Sequence, residues 1–474
     1  MIVGATTVDG AVTEQITLDD LFRRAAVRNS DAVALADPDD RAHFADGDAR
    51  QPTYAQADRV VWNIATRLRG LGLQTDAVIG VQLPNTVESI LALLGILRAG
   101  MIPALLPMLW RETEIVAALS GVSAKAIVTT SRIGAADHCA IAGRVAAGLF
   151  SIRHVCAFGT NVPDGVVPLD DVFSSDAGMQ AAPPREGEPA VHVAAITFEP
   201  TPRGLWPIAR SHVQLIAAGA AVVAGGNLAQ DTVLLSATPT SSFAGLAVTL
   251  LPWLITGGRL VLHQPFEPRL FRYRAGGCNA VIVPGPLAAS LADLAPDTAF
   301  IALWRSPERP EETTVARPLL DVAAFGEFGL HIAARSADNR MAPLPLGRAT
   351  DVLETRRSAR NTIMLRGATI AAPGLDAAEF PADRFIDTGY PCRIDSDTGA
   401  LIVTGPQAGM IGIGGYRIAR AEIDAFAAAL SVDSPIAALP DALLGQRLRG
   451  RSSNPAAVRN AARAVNPLIA GAFR

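Results

Sequence analysis

The segment Thr53–Pro107 reads TYAQADRVVWNIATRLRGLGLQTDAVIGVQLPNTVESILALLGILRAGMIPALLP. Apolar residues recur at helical spacing over Tyr54–Leu73, and the compact apolar run Ala77–Leu83 follows as a strand. A second helix over Val87–Gly100 and a second strand over Met101–Pro107 repeat the same order. Because strands that alternate with helices form parallel sheets covered by helices, this segment predicts an α/β fold.

The same alternation continues along most of the chain. Further strands are predicted over Thr232–Ala237, Arg259–Gln264, Ala280–Gly285, Thr362–Gly367 and Ala400–Gly405. With 474 residues, the chain is long enough for two or more domains. We therefore expect a large N-terminal domain of parallel β-sheets layered with helices, followed by a smaller domain.

Composition and charge limit the classes of function. Half of the residues are hydrophobic and 18% are charged, which is typical of a globular protein. A net charge of −4 gives no electrostatic reason to expect nucleic acid or an anionic membrane as a partner. Apolar runs such as Ala217–Gly226 are too short to span a bilayer, and the N-terminal residues do not resemble a secretory signal, so a cytoplasmic protein is expected.

Cysteine and lysine usage narrow the chemistry further. The four cysteines are far apart and form no C-x-x-C pair, which predicts buried free thiols and no metal site. Lys125 is the single lysine among 41 lysine and arginine residues. Since arginine stays charged and cannot replace a catalytic lysine, a mechanism that needs one depends on Lys125. The alternative explanation for the arginine excess is the mutational bias of a GC-rich genome.

Four segments resemble the adenylate-forming family, which contains acyl-CoA synthetases, aryl-CoA ligases and the adenylation domains of peptide synthetases. They are Thr17–Leu35, Thr53–Pro107, Phe385–Gly405 and Gly414–Asp424. The resemblance covers almost the whole chain. It implies an acyl-CoA synthetase-like N-terminal domain over residues 1–404 and a short α+β C-terminal lid over residues 405–474. It also implies ATP with magnesium, CoA and a reaction through an acyl-adenylate.

The family's phosphate loop reads like TSGTTG-x-PKG, and its counterpart here lies within Ala195–His212, AITFEPTPRGLWPIARSH. The Pro-Arg-Gly at 202–204 matches PKG, with Arg203 in place of the lysine and Gly204 retained. We expect an ordered loop whose one anion contact is made by Arg203.

The upstream half of the same loop has lost its glycines. Thr197 and Pro200 stand in their places, and Glu199 adds a negative charge where phosphate would bind. Glycines allow backbone angles that other residues resist, and proline has no N–H to donate. The substitutions therefore predict a loop that no longer holds ATP.

The second family motif reads YG-x-TE, and its counterpart is Phe325-Gly326-Glu327-Phe328-Gly329. The resemblance implies that Phe325 and Gly326 correspond to the aromatic residue that stacks on adenine and to its glycine. Glu327 lies two positions before the family's magnesium-binding glutamate. Two interpretations are open for Glu327, a metal ligand on the same strand face or a structural acid at the edge of a loop.

The third motif, TGD, becomes Thr388-Gly389-Tyr390, so a phenol replaces the aspartate that binds the ribose. We expect Tyr390 to occupy nucleotide space, while Arg393 matches a family arginine just downstream. Gly405-Pro406 replaces the family's hinge pair, and the chain has no glycine-lysine catalytic loop in its lid. These changes predict a restricted lid rotation.

Together these substitutions predict an acyl-CoA synthetase-like protein that is impaired in adenylation and binds an acyl or aromatic carboxylate or a partner enzyme. Two alternatives stay open. One is a divergent active ligase in which Arg203 and Glu327 replace the lost groups, and the other is a non-catalytic subunit of a complex with a synthetase or carrier protein. The resemblance implies an acyl pocket near Ser236–Gly245 and Trp304–Pro307, although the family's histidine and glycines are missing there.

Overall fold

The structure is a computed structural model that describes residues 16–175, 182–183, 185–291, 293–294, 297–307, 318–335, 341–350, 353–375, 383–430 and 432–473. Several helices begin where a polar side chain caps the first turn. Thr53, for example, caps the second helix in a capping box with Gln56. The α-helices are α1 (Leu18–Arg28), α2 (Tyr54–Gly70), α3 (Val87–Arg98), α4 (Glu112–Gly121), α5 (His138–Gly148), α6 (His212–Gly225), α7 (Phe243–Gly245), α8 (Leu251–Thr256), α9 (Pro268–Ala275), α10 (Arg420–Ala429), α11 (Pro455–Val465) and α12 (Pro467–Ala470). A π-helical turn, Leu246–Leu250, makes α7 and α8 continuous.

The strands of the two larger sheets follow the predicted apolar runs closely, because residues of these runs are buried on both faces of a sheet. In the first half they are β1 (Leu35–Ala36), β2 (Val78–Val81), β3 (Ile102–Leu105), β4 (Ala126–Thr130), β5 (Arg132–Ile133), β6 (Ala136–Asp137), β7 (His154–Phe158), β8 (Val167–Pro168), β9 (Val193–Thr201), β10 (Gly204–Ser211), β11 (Val233–Ser236) and β12 (Arg259–Leu262). In the second half they are β13 (Ala280–Pro284), β14 (Ala299–Trp304), β15 (Leu320–Phe325), β16 (Gly329–Ala334), β17 (Gly347–Thr350), β18 (Leu353–Arg357), β19 (Thr362–Arg366), β20 (Ile386–Ile394), β21 (Leu401–Val403), β22 (Met410–Ile413), β23 (Tyr416–Ala419), β24 (Ala437–Asp441) and β25 (Gly445–Arg449).

Two largely parallel sheets of seven strands form the larger part of the molecule. Sheet 1 has the order β1-β12-β11-β13-β14-β15-β16, and sheet 2 has the order β10-β9-β3-β2-β4-β7-β8. Only the edge pairs β15–β16 and β9–β10 are antiparallel within these two sheets. The α/β class and the parallel sheets predicted from the sequence are therefore confirmed.

Helices packed between the two sheets make the main core. All residues of α3 are buried, and one hydrophobic cluster joins this helix to the inner faces of both sheets. Helix α2 packs closely on α3 at Gly95, where an added Cβ would lie 2.5 Å from Cγ2 of Ile64. A glycine is therefore required at this crossing, since side chains on both helices would collide.

Two further antiparallel sheets, together with the two-stranded pair β5–β6, complete the sheets of the described residues. Sheet 3 has the order β17-β18-β19-β20-β21, and sheet 4 has the order β23-β22-β25-β24. Sheet 4 packs with α10, α11 and α12 on a hydrophobic cluster of its own, which begins at Ile411. The predicted domain boundary at residue 404 precedes this cluster.

The cysteines and the helices can be compared with the expectations from composition. All four cysteines are free; Cys139, Cys156 and Cys392 are buried and Cys278 is partly buried. In the part of the chain that the structure describes, no helix is both long and apolar enough to cross a membrane.

Candidate functional site

The segment expected to be a phosphate loop is a β-hairpin. Strands β9 and β10 pair along their whole length, with Gly204 opposite Thr201, so that only Pro202 and Arg203 form the turn. The N–H of Arg203 donates to Oγ1 of Thr201 at 3.2 Å, and the hydroxyl of Thr201 donates to the carbonyl of Gly204 at 2.8 Å. The ordered loop predicted here is shortened to a two-residue turn, because the residues after the turn continue as a strand whose second half is buried.

Arg203 and Gly204 are therefore placed at an exposed hairpin tip. Both residues are exposed, and Gly204 has a φ of 114°, which a side chain would strain. Most backbone N–H groups that a phosphate loop would offer to an anion belong here to the β9–β10 ladder.

Glu199 is fully buried near the end of β9, and its carboxylate has several partners. Arg417, on β23 of the C-terminal sheet, places its planar guanidinium on it, with Nη2 donating to Oε2 at 2.7 Å and Nη1 donating to Oε1. Nε2 of Gln407 donates to Oε1 at 3.1 Å, and the N–H of Glu327 donates to Oε2 at 2.7 Å. Such a bidentate pair with further donors satisfies a buried carboxylate.

Burial disfavours the charged guanidinium of Arg417, but the adjacent carboxylate of Glu199 overcomes this cost and raises the pKa of Arg417. Nη1 of Arg417 also donates to Oε1 of Gln407 at 3.0 Å. The ion pair therefore joins β9 of sheet 2 directly to β23 of sheet 4, and Gln407, in the connection that precedes β22, bonds to both partners.

Gly326 lies directly against this ion pair. Its φ is 62°, and an added Cβ would collide with the carboxylate of Glu199 and lie 2.8 Å from Nη1 of Arg417. The preceding residue, Phe325, is buried and meets Tyr390 edge-to-face, with ring centroids 5.8 Å apart. The turn after β15 therefore lies beside an ion pair and two packed rings.

Glu327 fits the structural interpretation of its role. Its Oε2 accepts from the N–H of Phe243 at 2.7 Å, at the first residue of α7. Burial raises the pKa of this carboxyl, and the nearby charge of Glu199 adds to the rise. The described residues contain no group of three or more His, Cys, Asp or Glu side chains arranged to hold a metal ion.

The TGD-like segment lies within β20. The hydroxyl of Thr388 donates to the carbonyl of Ile363 at 2.8 Å, and its own carbonyl accepts from Nε2 of Gln407 at 2.6 Å. Tyr390 is buried, whereas Arg393 is exposed and 3.6 Å from Asp395. Of the sequence-derived candidates, Phe325, Gly326, Glu327, Thr388 and Tyr390 surround the buried pair, while Arg203 and Arg393 point to solvent.

Sequence reasoning missed Arg210. This residue is fully buried on β10, its guanidinium lies 3.5 Å from the ring centroid of Phe243, and its Nη2 donates to the carbonyls of Glu327 and Phe328. Burial lowers its pKa to about 9. Glu199, the one charged residue of β9, was the available signal that buried cations must lie nearby.

A cavity of about 370 Å³ opens next to this cluster. One wall comes from the ends of the sheet 1 strands and includes Phe266, Leu303 and Trp304, and the other comes from sheet 4, at Gly415 and Tyr416. The predicted acyl-pocket segments contribute Ala237, Thr238, Pro239, Trp304, Arg305 and Ser306.

The sequence model of the family described as AMP-binding enzyme matches residues 22–193. A 2-hydroxy-7-methoxy-5-methyl-1-naphthoate–CoA ligase of Streptomyces carzinostaticus is 27% identical over 90% of this chain and 81% of the ligase. A salicyl-AMP ligase / salicyl-S-ArCP synthetase of Mycobacterium tuberculosis is 29% identical over 37% of this chain and 30% of that protein. The apo structure of Mycobacterium smegmatis MbtA shares the fold, with a TM-score of 0.67 and 23% identity over 95% of this chain and 89% of MbtA. The chain belongs to the adenylate-forming, acyl-CoA synthetase-like superfamily.

Proposed function

We propose that this chain is an acyl-CoA synthetase-like protein in which ATP-dependent adenylation is impaired and which binds an aromatic or acyl carboxylate. The observation that carries the proposal is the buried carboxylate of Glu199. It lies in the segment that corresponds to the phosphate loop and is already paired with Arg417.

The residues at this position do not fit ATP and magnesium. Glu199 would repel a phosphate, and the tight turn at Pro202 and Arg203 leaves few N–H donors free. Tyr390 packs on Phe325, so the bulk of a phenol replaces the carboxylate that would bind a ribose. Glu327 caps a helix start.

The adjoining cavity supports the binding role. Its volume of about 370 Å³ is at the lower end of the range for small-molecule sites, about 300–1,000 Å³. Aromatic and proline side chains line it, including Phe266, Pro286 and Trp304. The names of two similar proteins refer to a naphthoate and to a salicyl group, which favours an aromatic acid.

The proposal is tested by calorimetry with ATP and magnesium and by a pyrophosphate-release assay with a panel of fatty and aromatic acids. We expect no measurable heat of ATP binding and no pyrophosphate above the uncatalysed rate. Release at an ordinary enzymatic rate, about 1 to 10³ per second, would show an active ligase and overturn the proposal. The role as a non-catalytic subunit of a synthetase or carrier-protein complex would be favoured if no acid bound either.

A further inference from the structure

The cavity described above has an asymmetric lining. Its body is apolar, with Pro284, Pro286 and Leu287 opposite Leu444 of the β24–β25 turn. Arg305, the first residue after β14, is the one cation among the described residues that line it. The acidic part of a ligand and its apolar part would therefore be bound by different regions of the cavity.

Two consecutive residues on the sheet 4 side, Gly415 and Tyr416, lie against Arg305. Its guanidinium lies over the ring of Tyr416, 5.4 Å from the centroid. A Cβ added at Gly415, where φ is 85°, would lie 2.8 Å from both Cβ and Cδ of Arg305. Sheet 4 therefore limits the positions of this side chain without providing it with an acid.

Within the described ranges, Arg305 makes no ion pair and donates no hydrogen bond to protein. The carboxylate of Glu327 is near enough for Arg305 to lower its pKa, but Oε2 of that carboxylate is bonded to the N–H of Phe243. By contrast, the buried guanidiniums of Arg41 and Arg98 each contact two carboxylates. A half-buried guanidinium beside an apolar cavity has donors left for a ligand.

We infer that Arg305 binds the acidic group of the ligand, and that this ligand is a small planar aromatic acid of one or two rings. The inference rests on the proposed carboxylate-binding function. A planar guanidinium matches a carboxylate with two parallel hydrogen bonds. Trp304 and Phe266 provide apolar ring faces for the other end, and the cavity volume limits the ring number. The carboxylate of the bound ligand then lies at the boundary between sheet 1 and sheet 4.

The experiment compares two probes, 2-naphthoate and its uncharged analogue 2-naphthamide, by calorimetry. Wild-type protein, Arg305→Gln, Arg305→Lys and the control Arg360→Gln are titrated. Arg360 is an exposed arginine in the turn between β18 and β19. Thermal unfolding of each variant shows that the fold is retained.

We expect Arg305→Gln to weaken naphthoate binding about 10- to 100-fold, the usual range for a lost bond to a charged group. Arg305→Lys should show a smaller loss, and naphthamide should bind all four proteins equally. Equal naphthoate binding to wild type and Arg305→Gln would overturn the role of Arg305 and leave the proposed function intact. Failure of wild type to bind naphthoate would overturn the inference, while pyrophosphate release separately decides whether adenylation is impaired.

Discussion

Glu199 lies on β9 directly after the buried Phe198, and its side chain has no exposed surface. A buried carboxylate is costly unless charge and hydrogen bonds compensate it. Arg417, Gln407 and the N–H of Glu327 provide that compensation. The carboxylate thus occupies an anion-binding position within the protein, which is the reason that Gly326 can carry no side chain there.

Arg417→Met should lower the free energy of unfolding by about 3–5 kcal/mol, because it leaves the carboxylate of Glu199 buried without its cation. Urea unfolding followed by circular dichroism measures the loss. The double variant Glu199→Gln/Arg417→Met should recover part of it, since no unpaired charge remains. Arg420→Met is the control; Arg420 pairs with Asp424 at the surface, so about 1 kcal/mol or less is expected. A loss in Arg417→Met no larger than in the control would contradict the argument.

At the scale of elements, α4 of the larger part contacts the C-terminal part near α10 and the start of α12. The side-chain amide of Asn466 bridges one glutamate from each part. Nδ2 of Asn466 donates to Oε1 of Glu114 at 3.0 Å and to Oε1 of Glu422 at 3.3 Å. Oε2 of Glu114 accepts from the N–H of Arg111, whose guanidinium bonds to backbone carbonyls. Burial raises the pKa of Glu114 to about 7, and burial raises the pKa of Glu422 as well.

This contact should make stability depend on pH. Glu114 keeps its proton up to about pH 7 in the folded protein, whereas its ordinary pKa is 4.5, so the folded state binds the extra proton between these values. Its stabilisation is complete below pH 4.5 and is lost as pH rises through 7, by on the order of 3 kcal/mol.

Unfolding of Glu114→Gln at a series of pH values tests this dependence. The variant should be less sensitive to pH between 4.5 and 7 than wild type, because the titrating group is gone. Glu112→Gln, on the exposed side of the same helix, should keep the wild-type profile. A Glu114→Gln profile parallel to wild type would show that Glu114 does not carry the effect.

At the scale of the whole molecule, two contacts hold the C-terminal part against the larger part. They are the ion pair between Glu199 and Arg417 and the hydrogen bond between Glu114 and Asn466. Gln407 lies in the connection between β21 and β22 and bonds to Thr388 and Glu199, so this connection is also attached. Gly409, in the same connection, has a φ of 77° and packs near Pro202 of the hairpin turn. A C-terminal part held in this way is consistent with the restricted rotation expected from Gly405-Pro406.

Small-angle X-ray scattering should therefore give the same radius of gyration, about 23 Å for a compact chain of this length, with and without ATP and magnesium. Arg417→Met should have a larger radius, because the C-terminal part loses its main ionic contact. Arg420→Met is again the matched control. A wild-type radius that changes when ATP and magnesium are added would contradict the docked arrangement.

The sequence by itself determined the order of helices and strands and the α/β class. Helix α3 and strands β2 and β3 follow directly from the apolar pattern of Thr53–Pro107, because periodicity depends on neighbours two to four residues apart. The family resemblance also predicted that five residues of two motifs belong to one site: Phe325, Gly326, Glu327, Thr388 and Tyr390. These five residues lie together in the structure because the turn after β15 of sheet 1 meets β20 of sheet 3.

Only the tertiary structure decided what fills that region. Glu199 and Arg417 are 218 residues apart, and no local pattern connects them. The hairpin after Glu199 depends on β10 being buried against other elements, and the cavity beside Arg305 exists only where sheet 4 meets sheet 1. Ion pairs and cavities between distant segments depend on how complete sheets pack. The local sequence indicates only that a buried acid and a buried cation each need an oppositely charged or hydrogen-bonding partner.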